Sequence, residues 1–128
     1  MLLRTRLPIV AASVVGIVVL GAHWPDLSED EKFAVIAHER AHAAMHHTRQ
    51  RIWWVLSGQW AGISQRCCQQ EIDADYVAFR RGHGRGLLKL LCRAHNTPAS
   101  DFHPSHRERI DNIRRWMTNG TDFPAHSG

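Results

Sequence analysis

The chain predicts an α+β fold, a mostly helical core preceded by a small N-terminal β-hairpin or sheet. Three observations lead there. Three separate stretches carry apolar residues at helical spacing, with start or stop signals of their own. A Val- and Ile-rich run precedes them. A length of 128 residues suits one domain with one modest core, and no repeat or low-complexity tract divides it.

The N-terminal run covers residues 7–22 and follows Arg4 and Arg6, the arrangement of a signal peptide or short signal anchor. It is short against the roughly 20 apolar residues a helical span needs. It also contains Pro8, Ser13, Gly16 and Gly21. Two strands, residues 8–12 and 17–21 turned near Gly16, account for its β-branched content better. The expected organisation is therefore a β-hairpin over residues 1–24, with a signal anchor as the alternative, and a single helical domain over 25–128. Strands imply a soluble cytoplasmic protein; an anchor implies a membrane-attached one whose domain lies outside the cytoplasm.

The first helix starts at Ser28. With Glu31 three residues on, Ser28 offers a capping box in which its hydroxyl takes an orphan amide and Glu31 reaches back. Phe33, Ile36, Ala37, Ala41, Ala44 and Met45 supply the expected buried stripe. The same helix carries His38-Glu39-Arg40-Ala41-His42, an HExxH pattern. Histidines four apart project about 40° from one another around a helix, so both imidazoles can share one metal ion. Ten histidines in the chain make the pentapeptide weak on its own, so its surroundings must support it.

Support comes from a second helix over residues 69–80, with Ile72, Tyr76 and Phe79 at helical spacing and a stop at Gly82 and Gly84. Glu71 and Asp75 lie four apart there and face one way. Glu71 can complete a His38/His42/Glu71 ligand set for Zn²⁺, and Asp75 can accept the free N–H of a ligand histidine. Such a set leaves zinc an open position for a water of pKa roughly 7, with Glu39 beside it as general base. Without the HExxH pattern the same acids would read as a solvated face. A third helix opens at Ser105, which forms a second capping box with Glu108; Ile110, Ile113 and Met117 mark its buried face, and Asn119-Gly120 ends it. His103, on the loop before it, is free to reach a substrate oxygen.

In this order, HExxH, then Glu71-Ile72-Asp73-Ala74-Asp75, then His103-Pro104 with Arg109-Ile110, the motifs resemble those of the HtpX-like and CAAX-prenyl-endopeptidase-like gluzincin metallopeptidases. The resemblance runs from about Leu27 to Trp116. It implies a zincin-like core, His38, His42 and Glu71 as zinc ligands, and Glu39 as general base. It further implies His103 as a transition-state hydrogen-bond donor, Asp75 behind a ligand histidine, and Arg109 as the arginine tying the last helix to the site. It also supports the strand reading, since such cores carry a small sheet whose edge pairs with extended substrate. Only 28 residues separate His42 from Glu71, too few for the transmembrane hairpin of the large members, so the chain resembles the minimal, minigluzincin-sized relatives. A weaker similarity is to the peptidase domain of beta-lactam sensors.

The function expected is therefore a zinc-dependent metalloendopeptidase acting on protein or peptide substrates; a catalytically silent zinc-binding regulatory module is the alternative. Nucleic acid is not expected, although sixteen basic against twelve acidic residues give a net charge of +4. The arginines are dispersed, and Arg107, Arg109, Arg114 and Arg115 share a helix with acids. Trp53, Trp54, Val55, Leu56, Trp60 and Ile63 read as core or cleft wall, with a membrane-interface patch as the alternative. Cys67, Cys68 and Cys92 lack zinc-ribbon spacing and read as free thiols, and His46 and His47 as exposed.

Overall fold

The described residues are 2–4, 6, 11–14, 17–21 and 24–119 of a computed structural model. They form a small sheet and five α-helices. β1 (Leu2–Arg4), β2 (Ala11–Val14) and β3 (Ile17–Leu20) make a sheet of order β1-β3-β2. β2 and β3 are an antiparallel hairpin in which Val14 faces Ile17 and Ala11 faces Leu20; β1 runs parallel to β3 on its other side, with Leu2 opposite Val18. Among the described residues the strands thus number three rather than two; Pro8 and the turn at Gly16 lie outside the described residues. No helix among the described residues is long and apolar enough to cross a membrane.

After a 3₁₀ turn at Trp24–Asp26, α1 (Glu29–Ala44) begins at the expected box. Ser28 Oγ accepts from the Glu31 amide and Glu31 Oε1 accepts from the Ser28 amide. α2 (His47–Leu56), α3 (Ile63–Ala78), α4 (Gly84–Arg93) and α5 (His106–Thr118) follow. The core joins Ala34 and Ala37 of α1, Ala78 of α3, Leu87 and Leu91 of α4, and Ile110, Ile113 and Trp116 of α5. α1 also packs along β2 and β3, so the site helix lies between the sheet and the other helices.

Two expectations about packing are corrected. On α1 the buried face is Glu31, Ala34, Val35, Ala37, His38, Ala41 and His42, whereas Phe33 and Ala44 are exposed. The helix turns its polar side, with Glu31, His38 and His42, inward, so an apolar stripe does not report its buried face. On α5 Trp116, not Met117, joins Ile110 and Ile113 in the core. The expected stop is present at Gly82, whose φ of 92° breaks the helix within a π-type turn at Phe79–His83; Gly84 instead opens α4, which follows at once. α4 crosses α1 so closely that a Cβ at Gly86 would lie 2.2 Å from the Asp30 carbonyl oxygen. The crossing is clamped at the far end of α4, where Arg93 Nε and Nη2 donate to Glu31 at 2.5 and 2.7 Å.

Candidate metal centre

α1 and α3 bring the candidate ligands together. His38 Nε2 lies 3.1 Å from Glu71 Oε2, and His42 Nε2 lies 3.1 Å from His38 Nε2 and 3.2 Å from Glu71 Oε1. One ligand atom from each of the three residues falls within 4.8 Å of the others, and all three residues are buried. Nitrogen, nitrogen and carboxylate oxygen converging on one point is a donor set suited to Zn²⁺. Two ring nitrogens facing each other this closely gain nothing from each other unless a proton or a cation lies between them.

Around this cluster stand the groups that hold it. Asp75 Oδ1 lies 2.8 Å from His38 Nδ1, within ion-pair range although off the line of an ideal hydrogen bond. The other side of Asp75 is filled by Arg109, whose Nε and Nη2 donate to Oδ2 and Oδ1 at 2.7 and 2.8 Å, a bidentate fork from α5. Burial opposes the charged form of His38, but the hydrogen bonds and charges of Asp75 and Glu71 outweigh it and push the imidazole up to about 10. Burial acts against the Glu71 carboxylate too, yet hydrogen bonds from His103, His38 and His42 hold it well below the usual carboxylate range. Asp75, likewise opposed by burial, is lowered by Arg109 and His38. The surroundings of His38 thus favour positive charge, as a cation site requires.

His103 approaches from the loop before α5, its Nδ1 3.5 Å from Glu71 Oε1, with more than half its side chain exposed. That loop closes on itself, the Ser100 amide donating to the His103 carbonyl and the His106 amide to Thr97. Glu39 is half-buried on α1. Among the described residues no hydrogen-bond or ion-pair partner holds its carboxylate.

Two residues at the site escaped the sequence reading. His47 is buried, not exposed, and its Nδ1 lies 2.7 Å from His42 Nδ1. Burial first, and the neighbouring His42 next, lower its pKa to about 4. Arg51, one turn along α2, donates through Nε to Gln70 Oε1 at 2.6 Å and puts Nη2 3.5 Å from Glu71 Oε1. Both are placed by His46, whose left-handed conformation (φ 57°, ψ 34°) reverses the chain between α1 and α2. A histidine five residues beyond His42 has no helical relation to it, so spacing gave no hint.

The cysteines take no part in the cluster: Cys67 is buried, Cys68 half-buried and Cys92 exposed, all as free thiols. The family model described as peptidase family M48 matches residues 12–68. This match supports placing the chain with peptidase family M48. It supports a metallopeptidase function in general, a class that acts on proteins or peptides. The M48 match runs from β2 through α1 and α2 into α3 and includes His38, Glu39 and His42, but it ends before Glu71, Asp75, His103 and Arg109. Those four join the matched part through the contacts above. No curated protein and no solved structure matches the chain.

Proposed function

We propose that the chain is a zinc-dependent metalloendopeptidase of the HExxH-plus-ExxAD gluzincin type, with a zincin-like catalytic domain over residues 25–128. The observation that carries it is the convergence of His38, His42 and Glu71, from two different helices, on one buried point. In this reading those three residues hold zinc, which when bound supplies Lewis acidity toward water and the substrate carbonyl. Glu39 takes a proton from the attacking water and returns one to the leaving amine. His103, on the exposed side of Glu71, donates a hydrogen bond to the carbonyl oxygen as charge develops there.

The remaining residues hold these in place. Asp75 draws the His38 proton to Nδ1 and leaves the Nε2 lone pair directed at Glu71, and Arg109 fixes Asp75. His47 has the same part at His42. For Nε2 of neutral His42 to act as a ligand, its proton must sit on Nδ1, where the lone pair of His47 Nδ1, 2.7 Å away, can accept it. β2, an edge of the sheet lying along α1, supplies a strand against which an extended peptide can pair.

The test is zinc content and casein or peptide cleavage by the full chain beside Glu39→Gln. The variant is expected to keep its zinc and lose turnover, because it removes the base and leaves the ligands. Unchanged cleavage would remove Glu39 from the chemistry, and zinc binding without cleavage by the wild type would favour a silent zinc-binding module.

A further inference from the structure

Of the segment expected to be core or cleft wall, only Trp54 and Ile63 are half-buried. Ile52, Trp53, Val55 and Leu56 on α2 and Trp60 just beyond it are exposed, with Trp53 63%, Leu56 79% and Trp60 66% accessible. At 100° per residue the four helical positions span an arc of about 160°. The opposite face of α2 carries His47, Arg51 and Trp54 and turns toward the site. The outward face of α2 is therefore its apolar one, the reverse of an ordinary surface helix.

Two further features say what covers this face. The first is charge: no acidic residue occurs between Glu39 and Glu71, while Arg40, Arg49, Arg51 and Arg66 do. Exposed Arg49 stands one turn before Ile52 and Trp53, and Arg66 lies over the Trp54 ring at 5.1 Å. The second is the closure of the helix end. The Trp53 carbonyl accepts from the Ser57 amide and hydroxyl, and the Trp54 carbonyl from the Gln59 amide. The Val55 carbonyl accepts from the Gly58 amide and the Trp60 indole N–H. Backbone groups at the apolar tip thus have internal partners, as they must wherever water is withdrawn. A protein partner could supply such hydrogen bonds itself; hydrocarbon and headgroups supply few. Indoles beside arginines on a segment without acids match the boundary of an anionic bilayer.

We propose that this face docks the protein peripherally on an anionic lipid surface, α2 lying in the interface with Trp53, Leu56 and Trp60 inserted. The proposal goes beyond the hydrolytic reading and does not depend on it. Because His47 and Arg51 occupy the other face of α2, docking holds the candidate metal centre about one helix diameter, roughly 10–12 Å, from the membrane. The substrates brought within reach are then membrane-proximal polypeptides.

The experiment is vesicle co-sedimentation of the full chain with phosphatidylcholine alone and with an equal mixture of phosphatidylcholine and phosphatidylglycerol, alongside tryptophan emission. The expected result is binding to the mixed vesicles that weakens with salt, a blue shift, and much weaker binding to phosphatidylcholine. The triple variant W53S/L56S/W60S, all at exposed positions, should lose at least about tenfold in partitioning while its thermal midpoint is kept. Phe33→Ser, an exposed aromatic on another helix, should bind as wild type does. No binding to mixed vesicles, a triple variant that binds normally, or equal loss in Phe33→Ser would overturn the proposal. So would a concentration-dependent dimer that the triple variant abolishes, since the face would then belong to a second copy.

Discussion

Replacing Arg109 by methionine separates the last helix from the site while keeping an unbranched apolar stem in place. Asp75 is 1% and the Arg109 side chain 11% exposed, and the pair is joined by two bonds of 2.7 and 2.8 Å. Without the guanidinium, Asp75 remains buried with only His38 beside it. Leaving one member of a buried pair uncompensated costs about 3–5 kcal/mol. For a chain of this size each kcal/mol lowers the melting temperature by about 4 °C, so a fall of roughly 12–20 °C is expected in circular dichroism melts. Arg109→Lys restores the charge without the planar fork and should recover only part of the loss. A melting temperature within about 4 °C of wild type for Arg109→Met would refute the reasoning, because the ion pair would then not bind α5 to α3.

Three other outcomes follow from single contacts. His47→Ala should weaken zinc affinity by roughly 10–100-fold in a chelator competition, and His47→Gln, which can still accept the His42 proton, should recover part of it; equal affinities would dismiss His47 as a support for His42. His103→Ala should lower kcat by about 10²-fold with little change in KM or zinc content, whereas His106→Ala, whose ring instead meets the Ala94 carbonyl, should stay near normal; equal small effects would remove His103 from the mechanism. The Arg93 hydrogen bonds, aided by Ser28 and opposed by burial, hold the Glu31 pKa at about 2 against an ordinary 4.5, so this carboxylate adds stability above pH 4.5 that is lost as pH falls toward 2. Denaturant unfolding of wild type against Arg93→Ala across that window should show the gap closing on the acid side; a constant gap would mean the pair does not titrate as described.

What could be read in the sequence was local chemistry, and what could not was set by distant backbone. The start of α1 was legible because Ser28 and Glu31 complete their box within one turn. The pairing of Glu71 and Asp75 on one face was legible because a helix fixes that spacing. Which side of α1 faces inward was not, because His38 and His42 are themselves the buried side, and Phe33 is exposed. α4 was hidden behind Gly82, Gly84 and Gly86, which look like a terminator. Gly86 is there because α4 passes against the Asp30 carbonyl. His47 and Arg51 were hidden by the single left-handed residue His46, a change of direction no periodicity anticipates. The outward apolar face of α2 was visible as composition, but only the fold shows that nothing within the described residues covers it.

Zinc content of the gel-filtered full chain, compared with that of Glu71→Ala, probes the three-residue centre most directly. Stoichiometric zinc in the wild type and a large loss in Glu71→Ala are expected, because the carboxylate is the one candidate ligand contributed by α3. Full zinc retention at wild-type affinity in Glu71→Ala would contradict the centre described here.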